Sequence, residues 1–281
     1  MKPPEDPRET RVSDLKVVIS GAGGRMGRTL LKAVLEGEGF VLADALEYAG
    51  SSHIGEDAGL MCGSRAAGVT VEADTAPLKT VDAVIDFSTP AASVRLAQRL
   101  AGTGIAHVIG TTGFSPAENV AIAEAANSVA IVKSGNMSLG VNLLGALTRR
   151  VAATLDESFD IEIVEMHHNK KVDCPSGTAL LLGQAAADGR GVELDTWSAR
   201  GRDGVTGPRK PGEIGFASLR GGSVVGEHIV IFAGPAERIE LAHKAEDRMI
   251  FARGALTAAR WAAGRAPGLY SMVDVLGLSD F

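Results

Sequence analysis

The sequence predicts an α/β protein with two differently built halves, a doubly wound parallel sheet followed by an α+β region on a mixed sheet. Three observations carry that prediction. Up to about residue 137, short apolar runs alternate with helical stretches. A glycine cluster stands between the first apolar run and the first helix. Beyond that half, strand-like runs follow one another with only turn residues between them. With 281 residues, the chain is long enough for two domains. Aromatic residues make up only 4%, so Val, Ile, Leu and Ala must fill the cores.

Taken in order, Met1 to Arg11 is charged and carries Pro3, Pro4 and Pro7, with no apolar segment. It reads as a disordered tail over 1–13 rather than a signal peptide, with order beginning near Asp14. Leu15–Ser20 reads as a buried strand, Arg25–Glu36 as a helix and Phe40–Leu46 as a second strand. Val69–Val71 is a short strand and Val81–Phe87 a clear one, and a helix opens near Pro90. Proline suits a first helical turn because its missing N–H would have no partner there. His107–Ile109 and Val129–Val132 are strands flanking a helix over Pro116–Asn127. Buried strands separated by helices imply parallel pairing with right-handed crossovers. In the second half, Leu143, Leu144, Leu147, Val151 and Leu155 recur at helical spacing, which predicts a helix over Leu139–Leu155 with those residues inward. Asp160–His167 reads as a strand, Thr178–Ala187 as a short helix and Thr196–Gly212 as a long loop. Ile214–Leu219, Ser223–Phe232 and Arg238–His243 follow as strands, and Arg248–Ala263 as a closing helix.

Composition excludes several function classes. The formal net charge of −6 disfavours a nucleic-acid or anionic-membrane surface, since both need a basic excess. No apolar run approaches the roughly 18 residues that span a membrane. Cys62 and Cys174 have no metal-like spacing, which points to a reducing cytoplasm without a disulfide framework.

Gly21-Ala22-Gly23-Gly24-Arg25-Met26-Gly27 follows a strand and opens a helix. This is the context of a dinucleotide fingerprint, where glycines let the backbone approach a pyrophosphate and the helix N-terminus supplies free N–H groups. Glu47 lies 20 residues beyond Gly27, where a carboxylate accepts from ribose hydroxyls. The first half is therefore expected to be Rossmann-type and to bind NADH or NADPH. Tyr48 stands where a cation would favour the extra phosphate of NADPH, which tilts the expectation mildly toward NADH. Gly110-Thr111-Thr112 and Ser134-Gly135-Asn136-Met137 follow later strands and are placed to line the nicotinamide end.

The segment Glu165-Met166-His167-His168-Asn169-Lys170-Lys171 concentrates basic residues in an acidic chain. A metal site is disfavoured, because adjacent histidines on a strand point to opposite faces and no third ligand is evident. Ser176-Gly177-Thr178 then opens a helix whose free N–H groups form a second anion site. Two such sites suit a small dicarboxylate, and histidine suits proton transfer near neutral pH.

Together these residues resemble the dihydrodipicolinate reductase family. The resemblance rests on GAGGRMG at 21–27, IDFSTP at 85–90, VIGTTGF at 108–114, HHNKKVDCPSGTA at 167–179, GEIGFASLRGG at 212–222 and VGEHIVIFAG at 225–234. It implies a dinucleotide-binding domain over 14–137 plus 248–281, with a substrate-binding and tetramerisation domain over 138–247 inserted into it, in a cytoplasmic homotetramer. It also implies reduction by NAD(P)H of a hydroxylated tetrahydropyridine dicarboxylate with loss of water. By match, His167 is the acid–base residue and Lys171 the proton donor. His168, Gly177, Thr178 and Arg248 would bind substrate, while Gly21–Met26, Glu47, Gly110–Thr112 and Ser134–Met137 would bind cofactor. Asn169 and Lys170 depart from the family pattern. Two competing readings are an aspartate-type amino-acid dehydrogenase, which need not carry the 167–178 segment, and a non-catalytic NAD-binding redox sensor, for which no output module is evident.

Overall fold

The computed structural model describes residues 14–78 and 80–279, so the tail expected over 1–13 lies outside the described residues. Contacts divide the chain into two units, 1–132 with 256–269 and 133–255 with 270–281.

The first unit begins with β1 (Leu15–Ser20), α1 (Arg25–Glu36), β2 (Phe40–Glu47), α2 (Ala58–Met61) and β3 (Val71–Ala73). β4 (Ala83–Asp86), α3 (Pro90–Leu100), β5 (Ala106–Ile109), α4 (Pro116–Ala125) and β6 (Ala130–Lys133) follow. The sheet order is β12-β6-β5-β4-β1-β2-β3, with β12 (Gly268–Tyr270) supplied by the end of the chain. Its first six strands have the doubly wound order in which ligands bind where the order reverses, here between β1 and β4. The β1·β2, β2·β3, β1·β4 and β4·β5 pairs are all parallel. Val17–Ser20 and Ala83–Asp86 are buried on both faces, which explains why all but their last residues are apolar. Helix starts follow local chemistry. Thr89 caps α3 by accepting from the Ala92 N–H, with Pro90 in the first turn. Ser115 and Glu118 form a reciprocal capping box at α4.

The second unit contains α5 (Leu139–Thr154), β7 (Asp160–His167), α6 (Gly177–Arg190), α7 (Leu194–Trp197) and β8 (Ser198–Ala199). β9 (Ile214–Arg220), β10 (Gly226–Gly234), β11 (Glu237–Ala245), α8 (Met249–Ala262) and, near the end of the chain, α9 (Met272–Val275) complete the elements. The sheet order is β11-β10-β7-β9-β8. β10 runs antiparallel to β11 and β7, whereas β7·β9 and β8·β9 are parallel, so the sheet is mixed.

Several expectations are corrected. The helix expected over Thr178–Ala187 runs to Arg190, because Gly191 at φ 68° supplies the left-handed residue that ends it. The loop expected over 196–212 contains β8, and β12 and α9 lie beyond the closing helix. Leu143 does not face the core of α5 but is 43% exposed, while Val141, Leu144, Gly145, Thr148 and Ala152 form the buried stripe. The packing partner α6 selects that face, and small Gly145 lets the helices approach. The division between units passes through α8, and residues 270–281, expected with the first domain, belong to the second unit, where α9 packs on α5.

Candidate active site

In the first unit, the turn after β1 is shaped by what a side chain would strike. Gly21 has φ +76°, and a Cβ there would lie 2.5 Å from the Phe87 carbonyl oxygen. A Cβ on Gly27 would lie 2.1 Å from the Gly21 oxygen, so α1 can sit this close to the turn only with glycine. The Gly23 N–H donates to Glu47 Oε2 at 2.7 Å, which places the β2 carboxylate directly at the turn. Ala22 is fully buried and its N–H donates to the Leu46 carbonyl at 3.0 Å, whereas Arg25 is exposed and Met26 half-buried. Glu47, Tyr48 and Arg95 share a cavity of about 310 Å³ with Gly21 and Gly24. The Phe87 ring lies against Gly110, where a Cβ would come within 2.1 Å of it. Thr111 Oγ1 accepts from the Ser88 N–H at 3.1 Å and from Ser93 Oγ at 3.0 Å, joining the turns after β4 and β5. Thr112 is exposed. Beneath them His107 and Asp86, both fully buried, pair at 3.3 Å. A turn of three glycines and one buried alanine, an acidic residue at its edge and a helix N-terminus fit a dinucleotide.

In the second unit, strand alternation builds the site. Ile161, Ile163, Glu165 and His167 line one buried face of β7. Ile161 and Ile163 join an apolar cluster with Leu182, Phe216 and Phe232, and the same face turns polar at Glu165. Register brings His228 opposite Glu165 across β10, and Arg220 beside His167 across β9. Both guanidinium nitrogens of Arg220 donate to Glu165 at 2.8 Å. His167 Nδ1 lies 2.6 Å from Glu165 Oε2. An ionised carboxylate only accepts, so Nδ1 carries the imidazole proton and Nε2 is the bare nitrogen.

Glu165 Oε1 also accepts from the Ser176 N–H at 3.2 Å. Ser176 caps α6 by accepting from the Ala179 N–H, and its hydroxyl shares a 2.9 Å hydrogen bond with His228 Nε2. The N–H groups of Gly177 and Thr178 in the first turn have no intrahelical acceptor and remain available to an anion. Lys171 Nζ donates to Asp173 at 2.7 and 2.8 Å. His168 Nδ1 is buried without a hydrogen-bond partner among the described residues. The Ser134–Met137 turn is tied to this cluster, because Asn136 Nδ2 donates to Thr178 Oγ1 at 2.9 Å. Ser134 Oγ donates back to the Asn136 carbonyl, Gly135 is exposed, and the Met137 side chain is buried in the core. Arg248 is exposed in the turn before α8, and among the described residues its side chain makes no hydrogen bond or ion pair with the His167 cluster.

The electrostatics follow from these contacts. Burial would raise the Glu165 carboxyl, but Arg220, Ser218 and His167 outweigh it and hold it at about 2. Burial lowers His167, with Glu165 pulling the other way and Lys171 and Arg220 adding to the lowering. His228 is pushed down to about 4, first by burial and then by neighbouring His167. The site thus holds a carboxylate and two neutral imidazoles near neutral pH. Sequence reasoning missed Glu165, Arg220 and His228 as site residues. Glu165 carried a signal, since it sits two residues before His167 on the same strand face. Arg220 and His228 carried none, because only strand register brings them in.

A glycine turn with a carboxylate at its edge, in a chain that also carries a carboxylate-anchored histidine, defines a nicotinamide-dependent oxidoreductase of the Rossmann class. Two family models match, the N-terminus of dihydrodipicolinate reductase over residues 15–137 and its C-terminus over 140–276. The chain belongs to the dihydrodipicolinate reductase family. It is 62% identical over 271 residues to a 4-hydroxy-tetrahydrodipicolinate reductase of Rhodopseudomonas palustris (strain BisB5), covering 96% of this chain and 100% of that one. The fold is shared with dipicolinate-bound dihydrodipicolinate reductase from Paenisporosarcina sp. TG-14, at TM-score 0.69 and 21% identity, over 92% of this chain and 98% of that one. It is also shared with GenD2 from gentamicin A biosynthesis in complex with NAD, at TM-score 0.57 and 15% identity, over 96% and 92% of the chains.

Proposed function

We propose that the protein reduces 4-hydroxy-tetrahydrodipicolinate with NAD(P)H, releasing water and tetrahydrodipicolinate, in the cytoplasmic route to diaminopimelate and lysine. The observation that carries this reading is the 167–178 segment. It sets a carboxylate-anchored imidazole, a lysine ammonium and a helix N-terminus within one short stretch. Support also comes from the relatives' shared name and near-complete coverage.

In this reading residues 14–137 bind the dinucleotide, and 138–247 bind the substrate and make the tetramer contacts. The Gly21–Met26 turn, Glu47, Gly110–Thr112 and Ser134–Met137 hold the cofactor, whose nicotinamide supplies the hydride to ring carbon 4. The Gly177 and Thr178 N–H groups and His168 take the substrate carboxylates, and Arg248 assists. Lys171 exchanges Asp173 for the incoming dianion and donates a proton to the neighbouring ring carbon. His167 moves protons through its bare Nε2, and the imidazolium it then becomes is stabilised by Glu165. Tyr48 offers no charge to a ribose phosphate, which favours NADH. Arg95, in the same cavity as Glu47, supplies the cation with which NADPH also binds. A homotetramer is supported by the sheet face opposite α5 and α6, where Val164, Met166, Ile229 and Ile231 are only partly covered and Leu219 is 50% exposed.

The test is oxidation of NADH and NADPH with substrate generated in place from pyruvate and aspartate semialdehyde. Substrate-dependent oxidation is expected, and His167→Gln is expected to lower turnover by about 10²–10⁴-fold while NADH still binds. No oxidation of either nucleotide, with both bound, overturns the reaction. A His167→Gln loss below about threefold removes His167 from its role.

A further inference from the structure

We infer that Glu165, clamped by Arg220, is a positioning residue that fixes the His167 tautomer and at the same time pins the start of α6. The inference rests on the reading that His167 moves a proton during the reduction. Glu165 is 1% exposed and continues the row of Ile161 and Ile163 on β7. An apolar side chain would extend that row into the core, and replacing a buried ion pair in this way is often neutral or stabilising. Stability alone therefore gives no reason for a carboxylate there. Its hydrogen bonds do give one. Oε2 accepts from Arg220 Nη1 and His167 Nδ1, and Oε1 accepts from Arg220 Nη2 and the Ser176 N–H. One oxygen thus serves the proton-moving imidazole and the other the anion-binding helix terminus. Arg220 extends the anchor by donating to the Asp173 carbonyl at 2.7 Å, in the loop that carries Lys171.

An ionised carboxylate at Nδ1 leaves the proton on that nitrogen and keeps Nε2 open. Glu165→Gln inverts the arrangement. Arg220 has only donors, so it claims the amide oxygen and turns the NH₂ toward His167. Nδ1 must then accept, and the imidazole proton moves to Nε2. The charged and titratable groups around the ring are Glu165 on β7, Lys171 in the following loop, Arg220 on β9 and His228 on β10, whose ring stands edge-on at 5.1 Å. Without the Glu165 charge, only cations and a neutral imidazole face His167, so its imidazolium becomes harder to form.

The experiment pairs turnover with nitrogen-15 NMR of histidine-labelled protein, the His167 signals being assigned by their loss in His167→Gln. The wild type is expected to show the Nδ1–H tautomer. Glu165→Gln is expected to show Nε2–H, to lose roughly 10²-fold or more in kcat with NADH affinity unchanged, and to shift the acidic limb of its pH–rate profile to lower pH. Glu165→Asp keeps the charge and should retain the wild-type tautomer and recover part of the rate. If Glu165→Gln does not fold, Arg220→Lys, which keeps the Glu165 carboxylate but loses the fork, is expected to retain the Nδ1–H tautomer and to lower kcat roughly tenfold with NADH affinity unchanged, and a kcat within threefold of wild type overturns the clamp. An unchanged tautomer and a kcat within threefold of wild type overturn the inference. If His167→Gln keeps full turnover, the reading of His167 has failed, and the tautomer alone decides what Glu165 does.

Discussion

Gly226 offers a sharp test of which His167 nitrogen does the work. It lies on β10 one step beyond the Glu227–Met166 pair, so it faces the end of β7. A Cβ built on it would sit 3.0 Å from His167 Nε2 and 3.4 Å from Cδ2. Ordinary contact begins near 3.4 Å, so Gly226→Ala demands that the ring yield by about 0.4 Å. The ring is poorly able to yield, because Glu165 holds Nδ1 at 2.6 Å and His228 packs against its edge. A misplacement of about 1 Å in a reacting group can cost about 10²-fold in rate. Scaled to about 0.4 Å, the expected loss in kcat is about fivefold to tenfold, or ~1 kcal/mol of barrier.

Stability should not follow activity in this variant. Gly226 has an ordinary strand conformation, and replacing glycine with alanine inside a strand gains about 0.5–1 kcal/mol, which offsets the local crowding. Steady-state kinetics and a thermal melt on the same preparation separate the two effects. Gly221→Ala is the control. Its Cβ would meet only the flexible end of Met166, at 3.1 Å, and should leave kcat unchanged. A Gly226→Ala enzyme with kcat within twofold of wild type would refute the reasoning, since Nε2 would then not be the confined, working nitrogen.

Two further outcomes are expected. Arg95 is paired with Asp74 at only 3.3 Å, and Arg95→Ala should raise the Kd of NADPH by about tenfold, the worth of a charge-assisted contact, while leaving that of NADH within twofold. Nucleotide fluorescence titration checks this, and equal weakening of both cofactors would remove Arg95 from the phosphate site. His228 is 4% exposed and held at about 4, against about 6.5 in the unfolded chain. Between those values the unfolded chain binds the extra proton, so the folded state is fully favoured above pH ~6.5 and loses up to about 3 kcal/mol as pH falls to ~4. Urea denaturation across that window should show a shallower loss in His228→Gln than in wild type, and parallel slopes would contradict the assignment.

What was legible in the sequence was legible for local reasons. Gly24 and Gly27 announce a strand-to-helix turn because each meets backbone within a few residues, whereas Gly21 is required by the Phe87 carbonyl 66 positions on. Glu47 follows at a spacing set by one helix and one strand. The helix start read at Ser176 lies beside the helix it caps. The misreadings concern relations between distant segments. Leu143 and Leu147 have perfect helical spacing, yet the face of α5 that turns inward was chosen by α6, some forty residues on. Arg220 and His228 reach Glu165 from 55 and 63 positions away, through the register of a sheet with both parallel and antiparallel pairs. A one-residue slip of β9 or β10 would turn either side chain to the opposite face. What holds the register is the apolar half of the same face, where Ile161, Ile163, Ile214, Phe216, Val230 and Phe232 pack together. The hydrophobic core thus sets the alignment that delivers Arg220 and His228 to the polar end, so core packing and proton chemistry are two ends of one continuous strand face.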